Sequence, residues 1–276
     1  MKTIVLTGSK GFIGRNLLQK LNEDEKYIII EINEDIFDSD QWDLDLLSVL
    51  VNNRPDIIFH VGACSDTLEK DVNYMMKLNY EFTKILVDWS KDNDCKLIYS
   101  SSAASYGINN QHPSNLYGWS KYVAEQYVIS NNGIALRYFN VYGPGEEEKG
   151  NMASLALQSF IKFNKGEECK LFLGKPKRDF VYVKDIVSAN LHAVKKYSKL
   201  NKQYYDVGSG EARLFEDILT ILKIPFTYHP EEKIPQGYQF YTCSDKKKWM
   251  KGWEPEYIIE NGLKDYKKYL RKLLDK

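Results

Sequence analysis

The sequence predicts an α/β fold, a parallel sheet covered by helices and followed by a smaller C-terminal α/β lobe, and three observations predict it. Short apolar runs alternate with longer amphipathic stretches through the first half of the chain. A glycine-rich turn, Gly8-Ser9-Lys10-Gly11-Phe12-Ile13-Gly14, directly follows the first run. After Pro144 the alternation fades into helices, short aromatic-rich strands and turns at Pro225, Pro230, Pro235, Gly237 and Pro255.

Residues 3–7, 27–32, 56–61, 96–100 and 134–138 read as strands. Between them, 11–21, 73–94 and 117–130 carry apolar residues at helical spacing, as in Ile13, Leu17, Leu18 and Leu21. Strands joined by crossover helices make a doubly wound sheet of the Rossmann type. The expected division is a dinucleotide-binding domain over 1–144 and a mainly substrate-binding lobe over 145–276, with segments at about 180–210 returning to the first domain. There is no internal repeat and no low-complexity linker.

With 276 residues the chain can bury a full core, and 38 basic against 38 acidic side chains create no global field. A small partner is expected, not a nucleic acid polymer or a membrane. No apolar run approaches the roughly 20 residues that cross a bilayer, and Ile4-Val5-Leu6 is too short for a secretory core, so a cytoplasmic location is expected. Cys64, Cys95, Cys169 and Cys243 are scattered, against a disulfide framework or a C-x-x-C site. His60, His112, His192 and His229 include no pair at metal-ligand spacing, so no metal is expected.

Gly8, Gly11 and Gly14 suit a tight turn, close approach to a pyrophosphate, and helix-on-strand packing. A turn with no ligand is the alternative. Glu31 lies seventeen residues beyond Gly14, at the end of the second strand, where a carboxylate can accept from the ribose hydroxyls of adenosine. The following Asn33-Glu34-Asp35 offers no cation to a 2′-phosphate, which favours NAD over NADP. The plainer reading of Glu31 is a solvated strand end.

Tyr117-Gly118-Trp119-Ser120-Lys121 follows Tyr99-Ser100-Ser101-Ser102 at the end of a strand. At i and i+4 Tyr117 and Lys121 share a helix face, so the ammonium can lower the phenol's pKa towards that of a usable base. The Ser102 hydroxyl can hold the reacting alcohol or carbonyl against that phenolate. Taken alone, a Tyr-x-x-x-Lys pair is a common feature of surface helices.

The order of glycine turn, strand, serine cluster and Tyr-x-x-x-Lys resembles the extended short-chain dehydrogenase/reductase family, from about residue 3 to about residue 270. Asn140-Val141-Tyr142-Gly143-Pro144 is similar to its nucleotide-sugar-modifying branch. Residues 60–65, 74–76, 137–144, 149–154, 177–183 and 237–239 resemble the members that act at C6 of an ADP-activated glyceromanno-heptose.

The resemblance implies an NAD(P)-dependent isomerase, a nucleotide-sugar epimerase acting through a transient ketone, that assembles as a homo-oligomer. It implies Ser102, Tyr117 and Lys121 as catalytic residues, Lys121 also binding the nicotinamide ribose, and Lys149 as a second acid/base. Phe12 and Ile13 would lie on the pyrophosphate turn, and Val61, Gly62, Ala63, Cys64 and Ser65 would flank the cofactor. Asn140 and Val141 would border substrate and nicotinamide.

Arg178 would pair with the substrate diphosphate, or else ion-pair with the neighbouring Asp179, and Tyr238 would contact the nucleotide. Asn151 and Gln158 stand where Ser and His usually meet the heptose, and Phe172-Leu173-Gly174-Lys175 also departs from the pattern. These departures leave a 4-epimerase or a keto-sugar reductase open. A 4,6-dehydratase needs Asp-Glu beside the catalytic hydroxyl, where this chain has Ala103-Ala104. Retention of all four catalytic candidates argues against a cofactor sensor without turnover.

Overall fold

The computed structural model describes residues 1–108, 111–230 and 239–274. Along the chain run β1 (Lys2–Thr7), α1 (Phe12–Leu21), β2 (Tyr27–Ile32), α2 (Trp42–Asn53), β3 (Ile57–His60), α3 (Val72–Met76), α4 (Phe82–Asp92), β4 (Lys96–Ser102), α5 (Leu116–Ser130), β5 (Ile134–Tyr138) and β6 (Asn140–Tyr142). There follow α6 (Leu155–Asn164), β7 (Lys170–Leu171), β8 (Lys177–Tyr182), α7 (Val183–Lys195), α8 (Tyr197–Leu200), β9 (Gln203–Val207), β10 (Ala212–Leu214), α9 (Phe215–Leu222), β11 (Thr227–Tyr228) and α10 (Ile259–Leu274).

The main sheet is six-stranded and parallel, in the order β2-β1-β3-β4-β5-β9. Its strands are apolar on both sides because successive side chains point to opposite faces. Ile4 and Leu6 join the core under α1 and α7, while Val5 between them joins the core under α2, α4 and α5. Ile57 and Phe59 divide from Ile58 in the same way. Each fully buried Leu or Ile contributes about 1.5–3 kcal/mol.

The smaller lobe has its own core, with Phe160, Leu171, Phe180, Leu219 and Tyr266 buried together. There β6 pairs parallel with β8, and β10 pairs antiparallel on the other side of β8. The chain does not divide cleanly near residue 144. β9 completes the main sheet beside β5, and α7 packs across α1.

The helix α2 carries no amphipathic signal, since Leu46 and Leu50 face inward while Leu44, Leu47 and Val51 are exposed. The stretch read as one helix over 73–94 is α3, a π-helical turn at Lys77–Glu81, and α4. Among the described residues no helix is long and apolar enough to cross a membrane.

Candidate active site

A cleft of about 1100 Å³ opens at the carboxyl ends of the strands, between the main sheet and the smaller lobe. Its first wall is the β1–α1 turn. Gly8 has φ +68°, and a Cβ there would fall 2.5 Å from the Cα of Gly62. A Cβ on Gly14 would fall 2.0 Å from the Gly8 carbonyl oxygen. Only glycines let these three backbone segments touch.

Gly11 caps α1 without a side-chain bond, and the first turn carries no acid, so the helix start remains available to an anion. Gly8, Gly11, Phe12, Ile13 and Gly14 all line the cleft, with Val61, Gly62, Ala63 and Ser65 facing them. This bare-backbone cradle fits a dinucleotide pyrophosphate.

Glu31 is bonded to the same turn. It is not among the lining residues, and its carboxylate accepts the Ser9 hydroxyl at 2.5 Å. The cleft meets Ile32, Asn33 and Glu34 instead. Ser9 Oγ lies within hydrogen-bonding distance of both Glu31 and Asn33, which share one face of the strand, so Glu31 is tied to the β1–α1 turn. The Asn33 side chain accepts from the Lys10 amide at 3.1 Å, and the Lys10 ammonium lies 3.7 Å from Asp35.

A buried polar relay underlies the cofactor end. Thr7 Oγ1 accepts from the amides of Val61 and Gly62 at 3.1 and 3.0 Å, so its proton turns to His60 Nδ1, 2.8 Å away. The Thr83 hydroxyl gives its proton to the Asn79 carbonyl, so at 2.8 Å it can only accept from His60 Nε2. His60 is therefore the neutral Nε2–H tautomer. Burial holds its pKa well below 6.5, and the nearby Lys121 lowers it further.

Asn79, on the π-helical turn, grips both the amide and the carbonyl of Cys64 and donates to Ser120 Oγ. Cys64 is thus held behind the cleft wall and does not line it.

The catalytic candidates converge. Ser102 ends β4, Tyr117 and Lys121 stand one turn apart on α5, and Asn115 caps that helix by accepting the Gly118 amide at 2.8 Å. All three line the cleft, and Ser102 and Tyr117 are hydrogen-bonded. The expected lowering of the phenol's pKa by Lys121 is not what the protein provides by itself. Burial pushes Tyr117 up, and the Ser102 hydrogen bond opposes it only in part. The Lys121 ammonium rests instead over the ring of Tyr99, 4.3 Å from its centroid. Burial brings Lys121 down to about 7, with the field of Glu125 acting against it.

Another part of the lining is the turn after β6. Glu146 is fully buried and accepts from Gly143 N and from the amide and hydroxyl of Ser154, which fixes the turn that follows. Arg15 on α1 reaches across to Glu148 at 3.0 Å. Between these anchors Lys149 lines the cleft with its ammonium 5.6 Å from the centre of the Phe12 ring. Burial lowers its pKa, against the attraction of Glu146.

Asn140, Val141, Asn151, Gln158 and Phe172 also line this end, joined by Met152, Phe180 and Phe215, which the sequence did not single out. The Gln158 amide is committed to the carbonyls of Asn151 and Ala153.

Arg178 does not line the cleft. Its guanidinium donates to the carbonyls of Lys177 and Gln239 and stacks 5.7 Å from the centre of the Phe215 ring. Nor does it pair with Asp179, which is fully buried and accepts from the amides of Ser209, Gly210 and Ser244 and the hydroxyls of Ser209 and Ser244. Tyr238 lies outside the described residues.

A glycine cradle at the head of a parallel sheet and a Ser-Tyr-Lys cluster beside it define an extended short-chain dehydrogenase/reductase. More narrowly, the chain belongs to the NAD dependent epimerase/dehydratase family, whose model matches residues 4–208. It is 34% identical to an ADP-L-glycero-D-manno-heptose-6-epimerase of Brachyspira hyodysenteriae, across 98% of both chains.

Among solved structures, it resembles an ADP-L-glycero-D-manno-heptose-6-epimerase of Helicobacter pylori with TM-score 0.81 and 30% identity, over 98% of this chain and 96% of the other. A UDP-glucose 4-epimerase of Thermotoga maritima, solved with UDP-glucose, is similar with TM-score 0.85 and 27% identity over 99% of each.

Proposed function

We propose that this protein is an NAD-dependent nucleotide-sugar epimerase that inverts C6 of an ADP-activated glyceromanno-heptose through a transient ketone. The observation that carries the reading is that two acid/base groups from different elements, Tyr117 of α5 and Lys149 of the turn after β6, line one cleft. Inversion requires chemistry on both faces of a planar carbonyl, and one base serves one face. The names of two relatives point to the same substrate.

A bound nicotinamide cofactor supplies a hydride acceptor and donor, held by the Gly8–Gly14 cradle, Val61, Gly62, Ala63 and Ser65, with Lys121 at its ribose. Tyr117 Oη takes the proton of the sugar hydroxyl as the ketone forms, and the Ser102 hydroxyl bonds the same oxygen. After the ketone turns, Lys149 Nζ returns a proton to the oxygen as the other face is reduced. Asn140, Val141, Asn151, Gln158 and Phe172 hold the sugar, Tyr238 acts at the nucleotide end, and Arg178 braces the wall behind it through the carbonyls of Lys177 and Gln239.

NAD in preference to NADP is supported by Glu34 at the adenosine end and by the pairing of Lys10 with Asp35. Residues 1–144 with the returning α7 and β9 would bind the cofactor, and the remainder the sugar. Exposed Trp119 and Val123 on α5, with Tyr74 and Val72 on α3, support a homo-oligomer. Four free thiols suit the reducing cytoplasm.

The test incubates the protein with NAD and ADP-D-glycero-D-manno-heptose. The L-glycero epimer is expected, without net reduction of nicotinamide. The likeness to a UDP-glucose 4-epimerase and the presence of Asn151 and Gln158 at the sugar end favour a second reading. An inert heptose alongside conversion of UDP-glucose would replace the first reading with it.

A further inference from the structure

Lys149 sits on a turn whose own packing does little to hold it. Gly150, the next residue, has φ +51° and ψ −122°, outside the helical range, and a Cβ there would meet no described atom within 4 Å. The ion pair of Arg15 with Glu148 is exposed on both sides and adds little stability. The place of the lysine therefore depends on how the two limbs of the turn are tied down.

The entry limb is tied by Glu146. Its carboxylate takes Gly143 and Ser154, and its carbonyl accepts the Lys149 amide at 3.1 Å. The exit limb is tied by Gln158, at the end of the first turn of α6. The Gln158 side-chain nitrogen donates to the carbonyls of Asn151 at 3.0 Å and Ala153 at 2.7 Å. Two carbonyls need two N–H donors, so both protons of that nitrogen are committed to the turn and only the side-chain oxygen remains for another partner. Gln158 is itself anchored, since its backbone N–H donates to the Ser154 carbonyl at 3.0 Å and Ser154 Oγ caps the helix by accepting from the Leu157 amide at 3.3 Å.

We infer that Gln158 is a positioning residue for Lys149, its nitrogen bracing the exit limb of the turn that carries the lysine while its oxygen alone is left to a sugar hydroxyl. The inference rests on the reading of Lys149 as the second acid/base. The donor half of the amide is turned to the chain itself, on either side of a stretch that has no packing of its own. Misplacing a reacting group by about 1 Å can cost on the order of 10²-fold in rate, so the brace acts on turnover through the lysine and on affinity through the oxygen.

The test is a double-mutant cycle on the whole enzyme with NAD and the nucleotide sugar that it epimerises, with product measured by separation. Gln158→Met keeps the length of the side chain and removes both donors. It is expected to lower kcat by about tenfold or more in the parent, but by less than about twofold in Lys149→Met, where no amine is left to place. Loss of the oxygen raises KM by the same factor in both backgrounds. A residue that only holds the sugar, or only supports the fold, lowers kcat equally with and without Lys149. That outcome, or an unchanged kcat in Gln158→Met, overturns the inference.

Should Gln158→Met fail to fold, Gln158→Glu enters the same cycle, since its carboxylate keeps an acceptor for the sugar and cannot donate to either carbonyl. The same dependence on Lys149 is expected, and a Gln158→Glu enzyme with the kcat of the parent overturns the inference. Lys149→Met alone separates the two claims. Full turnover in that variant ends the acid/base reading of Lys149, whereas loss of turnover there, with equal losses on substituting Gln158 in both backgrounds, ends only the positioning role.

Discussion

His60, buried beneath the cofactor end of the cleft, ties the stability of the fold to pH. Its two nitrogens are committed to Thr7 and Thr83, so a proton added at Nδ1 would face a hydroxyl already donating towards it. The folded pKa lies below 6.5, so the unfolded chain takes up a proton that the folded chain refuses. That contribution to stability is complete above about 6.5 and is lost as the pH falls below it. Melting temperatures at pH 7 and pH 5 should fall more steeply for the parent than for His60→Gln; equal slopes would remove His60 from the account.

At Lys149 the expectation is kinetic. Lys149→Met should reduce epimer formation by about 10²–10⁴-fold while leaving the first oxidation intact, visible as nicotinamide absorbance that rises and stays. Absorbance that never rises would mean that Lys149 also serves the first step.

Such residues differ in how far the sequence displays them. Tyr117 and Lys121 are legible from their spacing only together with the glycine turn and serine cluster that precede them, and all four catalytic candidates line one cleft. The Tyr99 ring beneath Lys121 and the Arg137 that pairs with Glu125 come from neighbouring strands, and nothing local marks them. Glu31 was read as a ribose contact from its place at the end of β2, and nothing in the sequence announces its hydrogen bond from Ser9.

Elements were legible in proportion to their pattern. The first five strands stood out as apolar runs because both faces of the sheet are covered. α2 did not, for it is apolar on its outer face as well, and its end is marked by Arg54 at φ +42° where a glycine would have signalled a stop. The π-helical turn was hidden inside a continuous helical pattern, although its extra residue is what brings Asn79 against Cys64.

The β1–α1 junction is the element most exposed to a single change. Gly14→Ala places a methyl against the Gly8 carbonyl and must push α1 off the sheet. A loss of about 1–3 kcal/mol in stability and of NAD binding is expected, measured by urea unfolding and calorimetry. A variant that binds NAD normally would show that the cradle tolerates separation.

At the scale of the molecule, the two lobes are stitched together by chain order and by buried acids. Asp179 gathers β8, the turn at 208–210 and the irregular segment at 244 around one carboxylate. The main sheet is closed by β9 and its face covered by α7, both encoded after the residues of the first lobe. A fragment of residues 1–144 should therefore fail to fold by itself. Cooperative melting of that fragment by circular dichroism would contradict this.

The same topology bears on how the protein is made. A ribosome has to release three quarters of the chain, up to residue 207 of 276, before the last parallel strand can find its place. Until then the growing polypeptide carries an unpaired edge at β5, and up to residue 195 it also lacks the α7 that covers one face of the sheet. Its newborn form therefore exposes, for longer than the finished molecule would, the kind of surface on which chains aggregate.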